Sequence, residues 1–367
     1  MQDWYKINNI EQIDSPALVV YPAIVSENIR KTIEIAGDVE RLRPHVKTNK
    51  ISEVCNMMLK AGFSKYKCAT IAEAEMLAMI DAPDVLLAYQ PVGPKINRLL
   101  NLAEAYPKTL FSCLIDSEIN ATAIDEACRK KNITLNVFID LNVGMNRTGI
   151  LAEKAFGLVK HIQGLSGLRL IGLHAYDGHI HEEDLIERKK AADISYGKVW
   201  DLYQIIQPYF TYPLAMVVGG TPTFPIHIRR PDCECSPGTF VFWDWGYKHM
   251  LKELPFEYAA LVISRVISIV DEHHICIDLG YKSVAAESPL PRVHFLNAPE
   301  AIPSAQSEEH LVLKVPDSNK YMIGDVLYGV PKHICPTVAL YEKAFVIENN
   351  EMMKIWYIIA RNRTIKF

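Results

Sequence analysis

Three side chains of the sequence could together bind and activate a carbonyl compound. Lys47 carries a primary amine, the group that forms a Schiff base with an aldehyde cofactor. Arg147, in the segment DLNVGMNRTG, supplies a fixed cation, and Tyr176, in GLHAYDGH, supplies an aromatic face. Taken singly, each could be a surface or packing residue. The chemistry becomes specific only if the fold brings them together.

Two glycine-bearing segments could bind a phosphate group. VVGGTPT contains Gly220 and Thr221, and SPGTF contains Gly238 and Thr239. Glycine lets backbone N–H groups approach an anion closely, and the threonine hydroxyls add donors. A lysine, an arginine, an aromatic ring and a phosphate-binding loop together predict a site for an aldehyde cofactor that carries phosphate.

A second chemical feature is the pair His333 and Cys335, which lie two residues apart. In a β-strand, side chains with this spacing point to the same face, so the imidazole and the thiolate could bind one metal ion together. Cys233 and Cys235 share the spacing but have no further ligands clustered near them in the sequence. Spacing alone does not establish a metal site.

The elements that must position the first group of residues follow a repeated pattern between residues 40 and 245. Short β-rich apolar runs recur, each followed by a helical pattern such as 71–80 or 117–131, the latter with Asp116 as its expected N-cap. Eight units predict an α/β fold, a closed (β/α)8 TIM-type barrel, whose chemistry lies at the carboxyl ends of the strands. The predicted strands are 42–47, 66–69, 85–89, 110–115, 135–141, 168–176, 215–220 and 239–243.

Beyond about residue 252 the pattern changes to strands separated by turn signals, which predicts a mainly β C-terminal domain. We expect a cofactor-binding barrel at 15–250 and a β-rich domain with the metal site at 251–367, on which residues 1–14 would pack. The strand 17–20 could belong to either domain. The predicted C-terminal strands are 261–270, 274–278, 311–315, 338–347 and 354–360.

Composition excludes several other functions. The net charge is -4 and basic residues are spread along the chain, so we expect no nucleic-acid partner. The N-terminal segment lacks a signal-peptide pattern, and the longest apolar stretch, 259–270, is interrupted by polar residues, so we expect no membrane partner. The eight cysteines mostly lie in apolar runs, as buried thiols do in a reducing compartment. These features predict a soluble cytoplasmic protein.

The segment RPHVKTNK at 43–50 resembles the lysine motif of the fold-type III pyridoxal-phosphate enzymes related to D-threonine aldolase and eukaryotic-type D-serine dehydratase, which share an alanine racemase-like barrel. Asn49 departs from the motif, because relatives often have histidine there. Similar segments run along almost the whole chain: DSPALVV, CATIAEAEMLA, DVLLAYQPVGPK, GMNRTG, YDGH, GGTPT, SPGTFVFWD, DLGYKS, SEEH and PKHICPT.

The resemblance implies a lyase that uses pyridoxal 5'-phosphate (PLP) and a divalent metal to act on D-β-hydroxy-α-amino acids, and it implies a homodimer. Lys47 would form the Schiff base, Arg147 would lie near the phenolic oxygen of the cofactor, and Tyr176 would lie against its pyridine ring. The phosphate would be held by Gly220, Thr221, Gly238 and Thr239.

The resemblance also implies that His333 and Cys335 bind the metal near the β-hydroxyl of the substrate. A thiolate and an imidazole favour zinc, although manganese or another transition ion stays open. Histidines that follow the sixth predicted strand could move protons, and His179 is the candidate we select among them.

Several reactions stay open at this point. Retro-aldol cleavage and dehydration use the same residues, and Cys335, where some relatives have aspartate, favours the zinc-using dehydratases. Racemases of this fold carry an arginine where Ser236 stands, which weakens that alternative. A non-enzymatic PLP carrier of the same superfamily would be a bare barrel, without the predicted second domain.

Overall fold

A computed structural model describes residues 3–367 of the chain. Within these residues there are sixteen strands and ten α-helices, numbered here in chain order. The strands are β1 (Ala17–Val20), β2 (Lys65–Cys68), β3 (Asp84–Leu87), β4 (Leu110–Ile115), β5 (Leu135–Asp140), β6 (Leu168–Ala175), β7 (Ala215–Val218), β8 (Cys233–Cys235), β9 (Ala260–Asp271), β10 (His274–Ile277), β11 (Val293–Phe295), β12 (Ile302–Gln306), β13 (Leu311–Lys314), β14 (Val326–Pro331), β15 (Lys343–Glu348) and β16 (Glu351–Tyr357). The helices are α1 (Pro22–Ala36), α2 (Ser52–Lys60), α3 (Ile71–Ala78), α4 (Pro94–Ala105), α5 (Glu118–Lys131), α6 (Ala152–Gln163), α7 (Leu185–Ile206), α8 (Phe224–His227), α9 (Trp245–Met250) and α10 (Ile334–Val338).

The described chain divides into two compact units. The barrel unit comprises residues 32–47, 55–238 and 362–367, and the β unit comprises residues 3–31, 48–54 and 239–361. Strand β1, whose domain the sequence left open, lies in the β unit. None of the helices in residues 3–367 combines the length and the apolar character needed to cross a membrane.

The barrel unit is built on a parallel sheet in which β2 to β8 follow one another in chain order. The segment 42–47 closes the sheet, because Leu42 forms a parallel bridge to Cys235 on β8 and His45 forms one to Lys67 on β2. The interior contains a cluster of apolar side chains from several strands, including Leu86 of β3, Leu114 of β4 and Phe138 of β5. The predicted (β/α)8 barrel followed by a mainly β domain is confirmed.

The closing segment is paired but is not a regular strand, because Pro44 has no N–H to donate. The side chain of Arg43 holds this segment in place through ion pairs. Its buried guanidinium donates to Asp84 of β3 at 2.6 and 2.9 Å and to Glu234 of β8 at 2.8 Å. Burial opposes the charge, but these two carboxylates raise the pKa of Arg43 above its ordinary value. The ion pairs therefore join the closing segment to both sides of the barrel.

The last predicted barrel strand was wrong. The eighth strand of the barrel is Cys233–Cys235, whereas Thr239–Val241 forms a 3-10 turn in the β unit. Residues 239–243 are aromatic and β-branched, but the N–H groups of Phe242 and Trp243 donate to the carbonyl of Thr239 and curl the chain. Helix α5 also begins one residue later than predicted: Ser117, not Asp116, is the N-cap and accepts from the N–H of Asn120.

The β unit is organised around the long strand β9. Strands β10, β14 and β1 pair with β9 in antiparallel fashion, and β15 runs parallel to β1. Its core contains Val19, Leu261 and Ile263, all fully buried, and Ile7 and Ile13 from the N-terminal segment pack against them. Strands β11, β12 and β14 were missed, and the predicted strand 338–347 begins only at Lys343 because α10 extends to Val338.

Candidate active site

Three predicted residues meet in one pocket at the carboxyl end of the barrel strands. The ring of Tyr176, directly after β6, has the Nζ atom of Lys47 at 5.5 Å from its centroid and the Cζ atom of Arg147 at 5.1 Å. All three line a cavity of about 40 Å³ within the barrel unit. Gly220 permits this position of Tyr176, because a Cβ atom there would lie 2.9 Å from the tyrosine ring.

Lys67 is a fourth residue of the pocket, which was not predicted from the sequence. It lies on β2 beside Leu86 of β3, on the face that points into the barrel. Its side chain is buried, and its Nζ atom is 5.6 Å from the Tyr176 ring centroid. Burial first, and then the charge of Lys47, lower the pKa of Lys67 to about 7. The predicted strand 66–69 contains this lysine, but the polar sequence KYKC gives no clear signal of which face points inward.

Asp140 and His174 form a buried pair on the pocket wall, with 2.7 Å between the Asp140 Oδ1 and His174 Nδ1 atoms. Burial, followed by the nearby charge of Lys67, lowers the pKa of His174 to about 4, so the imidazole is neutral near pH 7. Its Nδ1–H donates to Asp140, which leaves the buried Nε2 atom as an acceptor without a partner in the described residues.

His179, the predicted proton carrier, does not line this pocket in the described structure. Its ring lies against Gly144, in the loop that carries Arg147, so closely that a Cβ atom at Gly144 would be 2.6 Å from the His179 Nε2 atom. Gly144 also has a φ of +140°, which disfavours any other residue. His179 therefore contacts the Arg147 loop, and the geometry does not place it beside Lys47.

The predicted phosphate loops of the barrel unit meet each other. Gly238, which follows β8, donates its N–H to the hydroxyl of Thr221 at 3.1 Å, and the N–H of Gly220 donates to the hydroxyl of Thr223 at 3.2 Å. A phosphate would have to compete with these hydroxyls for the two N–H groups. The Oγ atom of Ser236, in the same loop as Gly238, is buried without a partner in the described residues, as expected for a group that faces a ligand.

Asp177 stabilises the Gly220 loop through hydrogen bonds. Its carboxylate accepts from the hydroxyl of Thr223 at 2.8 Å and contacts the His227 Nε2 atom at 2.8 Å, and both partners are buried. Because Asp177 follows Tyr176 directly, its contacts with Thr223 and His227 connect the backbone of Tyr176 to the Gly220 loop. The role of Asp177 is therefore to position its neighbours.

The metal candidates lie in the β unit, and their predicted strand geometry was wrong. His333 is the N-cap residue of α10, and Cys335 lies within that helix. Burial alone would lower the pKa of His333, but its hydrogen bond to Cys335 raises that pKa to about 9. For the Cys335 thiol, burial raises the pKa, but the same hydrogen bond lowers it below its ordinary value. Thus the two side chains still meet, through a hydrogen bond.

The surroundings of this pair fit a metal such as zinc. Glu287 lies 2.6 Å from the His333 Nδ1 atom, an arrangement that leaves Nε2 for a metal and is typical of metal-binding histidines. The Cys335 Sγ atom contacts the hydroxyls of Thr48 at 3.1 Å and Thr239 at 3.5 Å. Residues 3–367 hold no cluster of three or more metal-binding side chains, so water or substrate would complete the coordination.

Comparisons with known proteins identify similar domains and similar whole chains. Residues 22–195 match the model of the alanine racemase N-terminal domain, and residues 259–347 match that of the serine dehydratase domain. The chain is 26% identical to a D-threonine aldolase of Arthrobacter sp., over 96% of this chain and 94% of that protein.

Solved structures share the fold. A D-threonine aldolase from Filomicrobium marinum superposes with a TM-score of 0.88 at 24% identity, covering 95% of both chains. A D-threo-3-hydroxyaspartate dehydratase from Delftia sp. superposes with a TM-score of 0.82 at 21% identity, covering 94% of this chain and 97% of that one. A mutant of such a dehydratase has been solved in a metal-free form. These matches confirm, over almost the whole chain, the resemblance to the D-threonine aldolase and D-serine dehydratase family.

Proposed function

We propose that this protein is a PLP- and divalent-metal-dependent lyase that acts on D-β-hydroxy-α-amino acids. The observation that carries the proposal is the convergence of the Lys47 amine and the Arg147 guanidinium on the ring of Tyr176 in one pocket. The names of the relatives, which include aldolases and dehydratases for D-configured hydroxy amino acids, support this class of substrate.

The residues present fit the cofactor. Lys47 would hold its aldehyde as a Schiff base, Arg147 and Tyr176 would orient its ring, and the loops of Gly220, Thr221, Gly238 and Thr239 would hold its phosphate. The Ser236 hydroxyl, which has no partner among residues 3–367, and the φ of +75° at Gly219, which opens the backbone of its loop, support a ligand there. When bound, PLP supplies an electron sink that stabilises negative charge at the α-carbon of an amino acid.

The pair His333 and Cys335 would bind the metal, for which we propose zinc. A divalent metal supplies Lewis acidity toward an oxygen of the substrate. Glu287 holds the His333 ring so that Nε2 is the available nitrogen, and the Thr48 hydroxyl contacts the thiol. Glu287 and Thr48 would not complete the coordination of the metal. Because water or substrate would do so, the site would be an open one and not a closed structural metal site.

Two reactions remain within the proposal. In retro-aldol cleavage the Cα–Cβ bond breaks after the β-hydroxyl loses its proton, which gives glycine and an aldehyde. In dehydration the Lys47 amine removes the α-proton and the β-hydroxyl leaves as water, which gives a keto acid and ammonia after hydrolysis. Neutral His174, held by Asp140, offers an acceptor at Nε2 and is a better-placed proton carrier than His179.

The assay is direct. The purified protein is given D-threonine, D-serine and D-threo-3-hydroxyaspartate, with the L-enantiomers as controls, and glycine, aldehyde, keto acid and ammonia are measured separately. We expect lyase products from at least one D-substrate and their loss with a chelator. Racemisation without lyase products would support the racemase alternative, and no turnover at all would refute the lyase.

Two further properties belong to the proposal. We infer a homodimer, which light scattering of the purified protein measures. We also infer a cytoplasmic location, supported by eight free cysteines, seven of them buried.

A further inference from the structure

Lys67 lies in the same pocket as Lys47, yet the proposed function gives it no role. Its side chain is 3% exposed, and its Nζ atom faces the same aromatic ring as the amine of Lys47. Lysine is rarely buried without a partner, because an ammonium group loses its hydration in the interior. Burying the Lys67 amine therefore costs free energy, and packing alone does not explain why a lysine stands at this position.

The carboxylates near Lys67 are engaged by other groups. Asp140 is held by His174, and Asp177 is held by His227, at 2.7 and 2.8 Å respectively. Within residues 3–367 no carboxylate lies within ion-pair distance of the Lys67 amine. Asp140 and Asp177 therefore act on the buried lysine only from a distance, without forming an ion pair with it in the described residues.

Cations and carboxylates both act on the Lys67 amine. Burial lowers its pKa first, Lys47 and Arg147 lower it further, and Asp140 and Asp177 raise it only in part, to about 7. Much of the amine is therefore uncharged in the ligand-free chain at slightly alkaline pH. An anion beside it would restore the charge, since opposite charge favours the protonated form. The titratable groups that face the amine or share its pocket are His45, Lys47, Asp140, Arg147, His174, Tyr176 and Asp177.

We propose that Lys67 is a further cofactor-binding residue, whose amine takes up a proton from solvent when the anionic cofactor binds. The inference rests on the proposed function, because it takes PLP as the ligand. PLP brings a phosphate and a phenolic oxygen into a pocket that already holds Lys47 and Arg147. Lys67 then supplies a positive charge that is present in the loaded protein and largely absent in the empty one.

Calorimetry tests the proton uptake without relying on turnover. The full chain, freed of cofactor, is titrated at pH 8 with pyridoxine 5'-phosphate, which has an alcohol in place of the aldehyde and cannot form a Schiff base with Lys47. Its phosphate is dianionic at this pH, since the second pKa of such a group is about 6. Titration in two buffers of different ionisation enthalpy gives the number of protons taken up, and we expect about one per site at full coupling.

Three variants separate Lys67 from its surroundings. Lys67→Met should abolish the uptake and weaken binding about tenfold or more, and Lys67→Arg, which is always charged, should abolish the uptake while binding persists. Lys60→Met, at an exposed lysine at the end of α2, is the matched control and should behave as the wild type. Uptake that persists in Lys67→Arg, or is absent in the wild type, overturns the inference. A probe that does not bind the wild type refutes the PLP site itself, and with it the inference.

Discussion

Replacing Lys67 by methionine should stabilise the cofactor-free protein, although it removes a residue of the site. Methionine keeps the length of the side chain and removes the charge. Holding the pKa near 7 instead of 10.5 costs the folded chain up to about 5 kcal/mol, at about 1.36 kcal/mol per pH unit. Replacing a buried charge by an apolar side chain usually returns less, so we expect the free energy of unfolding to rise by about 1–4 kcal/mol at pH 7.

The sign of the pH dependence follows from the depressed pKa. Below pH 7 the folded and the unfolded chain both carry the proton, and the folded state bears the full cost. Between pH 7 and 10.5 the unfolded chain binds more protons, so the stability of the wild type rises with pH. The advantage of Lys67→Met should therefore be largest near neutral pH and shrink toward pH 10.

Urea unfolding of the wild type, Lys67→Met and Lys60→Met at pH 7 and pH 9.5 measures both effects. The exposed control should change stability by less than about 0.5 kcal/mol. A Lys67→Met protein that is less stable than the wild type, or whose advantage is the same at both pH values, would refute the argument. Either result would show that the Lys67 amine has a stabilising partner in solution.

Three other changes probe different parts of the molecule. Arg43→Met leaves the carboxylate of Asp84 without its cation and leaves Glu234 with Lys65 alone, and it should lower the free energy of unfolding by about 3–5 kcal/mol in urea titrations; a neutral result would remove Arg43 from barrel closure. Asp177→Asn should weaken PLP binding about tenfold in a spectroscopic titration, because a buried charge-assisted hydrogen bond contributes about 1.5–3 kcal/mol to holding the phosphate loop; unchanged affinity would separate the anchor from the loop. Cys335→Ala should lose the metal by elemental analysis and lose lyase activity while keeping PLP absorbance, and a variant that retains stoichiometric metal would exclude this residue as a ligand.

The barrel was predictable because its strands are apolar runs with clear turn signals and its helices have the 3.6-residue period. The eighth strand was not, since Cys233–Cys235 is only three residues long, and the residues after it are more β-prone although they curl into a 3-10 turn. The turn is formed by local backbone hydrogen bonds from Phe242 and Trp243 to the Thr239 carbonyl, which the β-prone composition of these residues did not indicate.

The candidate site also contains residues that the sequence predicted and one that it did not. Tyr176 follows β6 directly, Lys47 ends the closing segment and Arg147 lies in the loop after β5, so the general geometry of a barrel was enough to group them. Lys67 lies within β2 and not at a strand end, and only the structure shows that its side chain lines the pocket. Cys335 and His333 meet through a helix cap instead of a strand, which their spacing alone could not distinguish.

The central claim is that Lys47 carries the cofactor, and one measurement tests it most directly. The purified protein with PLP is reduced with borohydride, digested and examined by peptide mass mapping, with Lys47→Ala as the control. We predict a pyridoxyl group on Lys47 in the wild type and none at that position in the variant. A label found on Lys67 or on any other lysine of the wild type, or no label at all, would contradict the proposal.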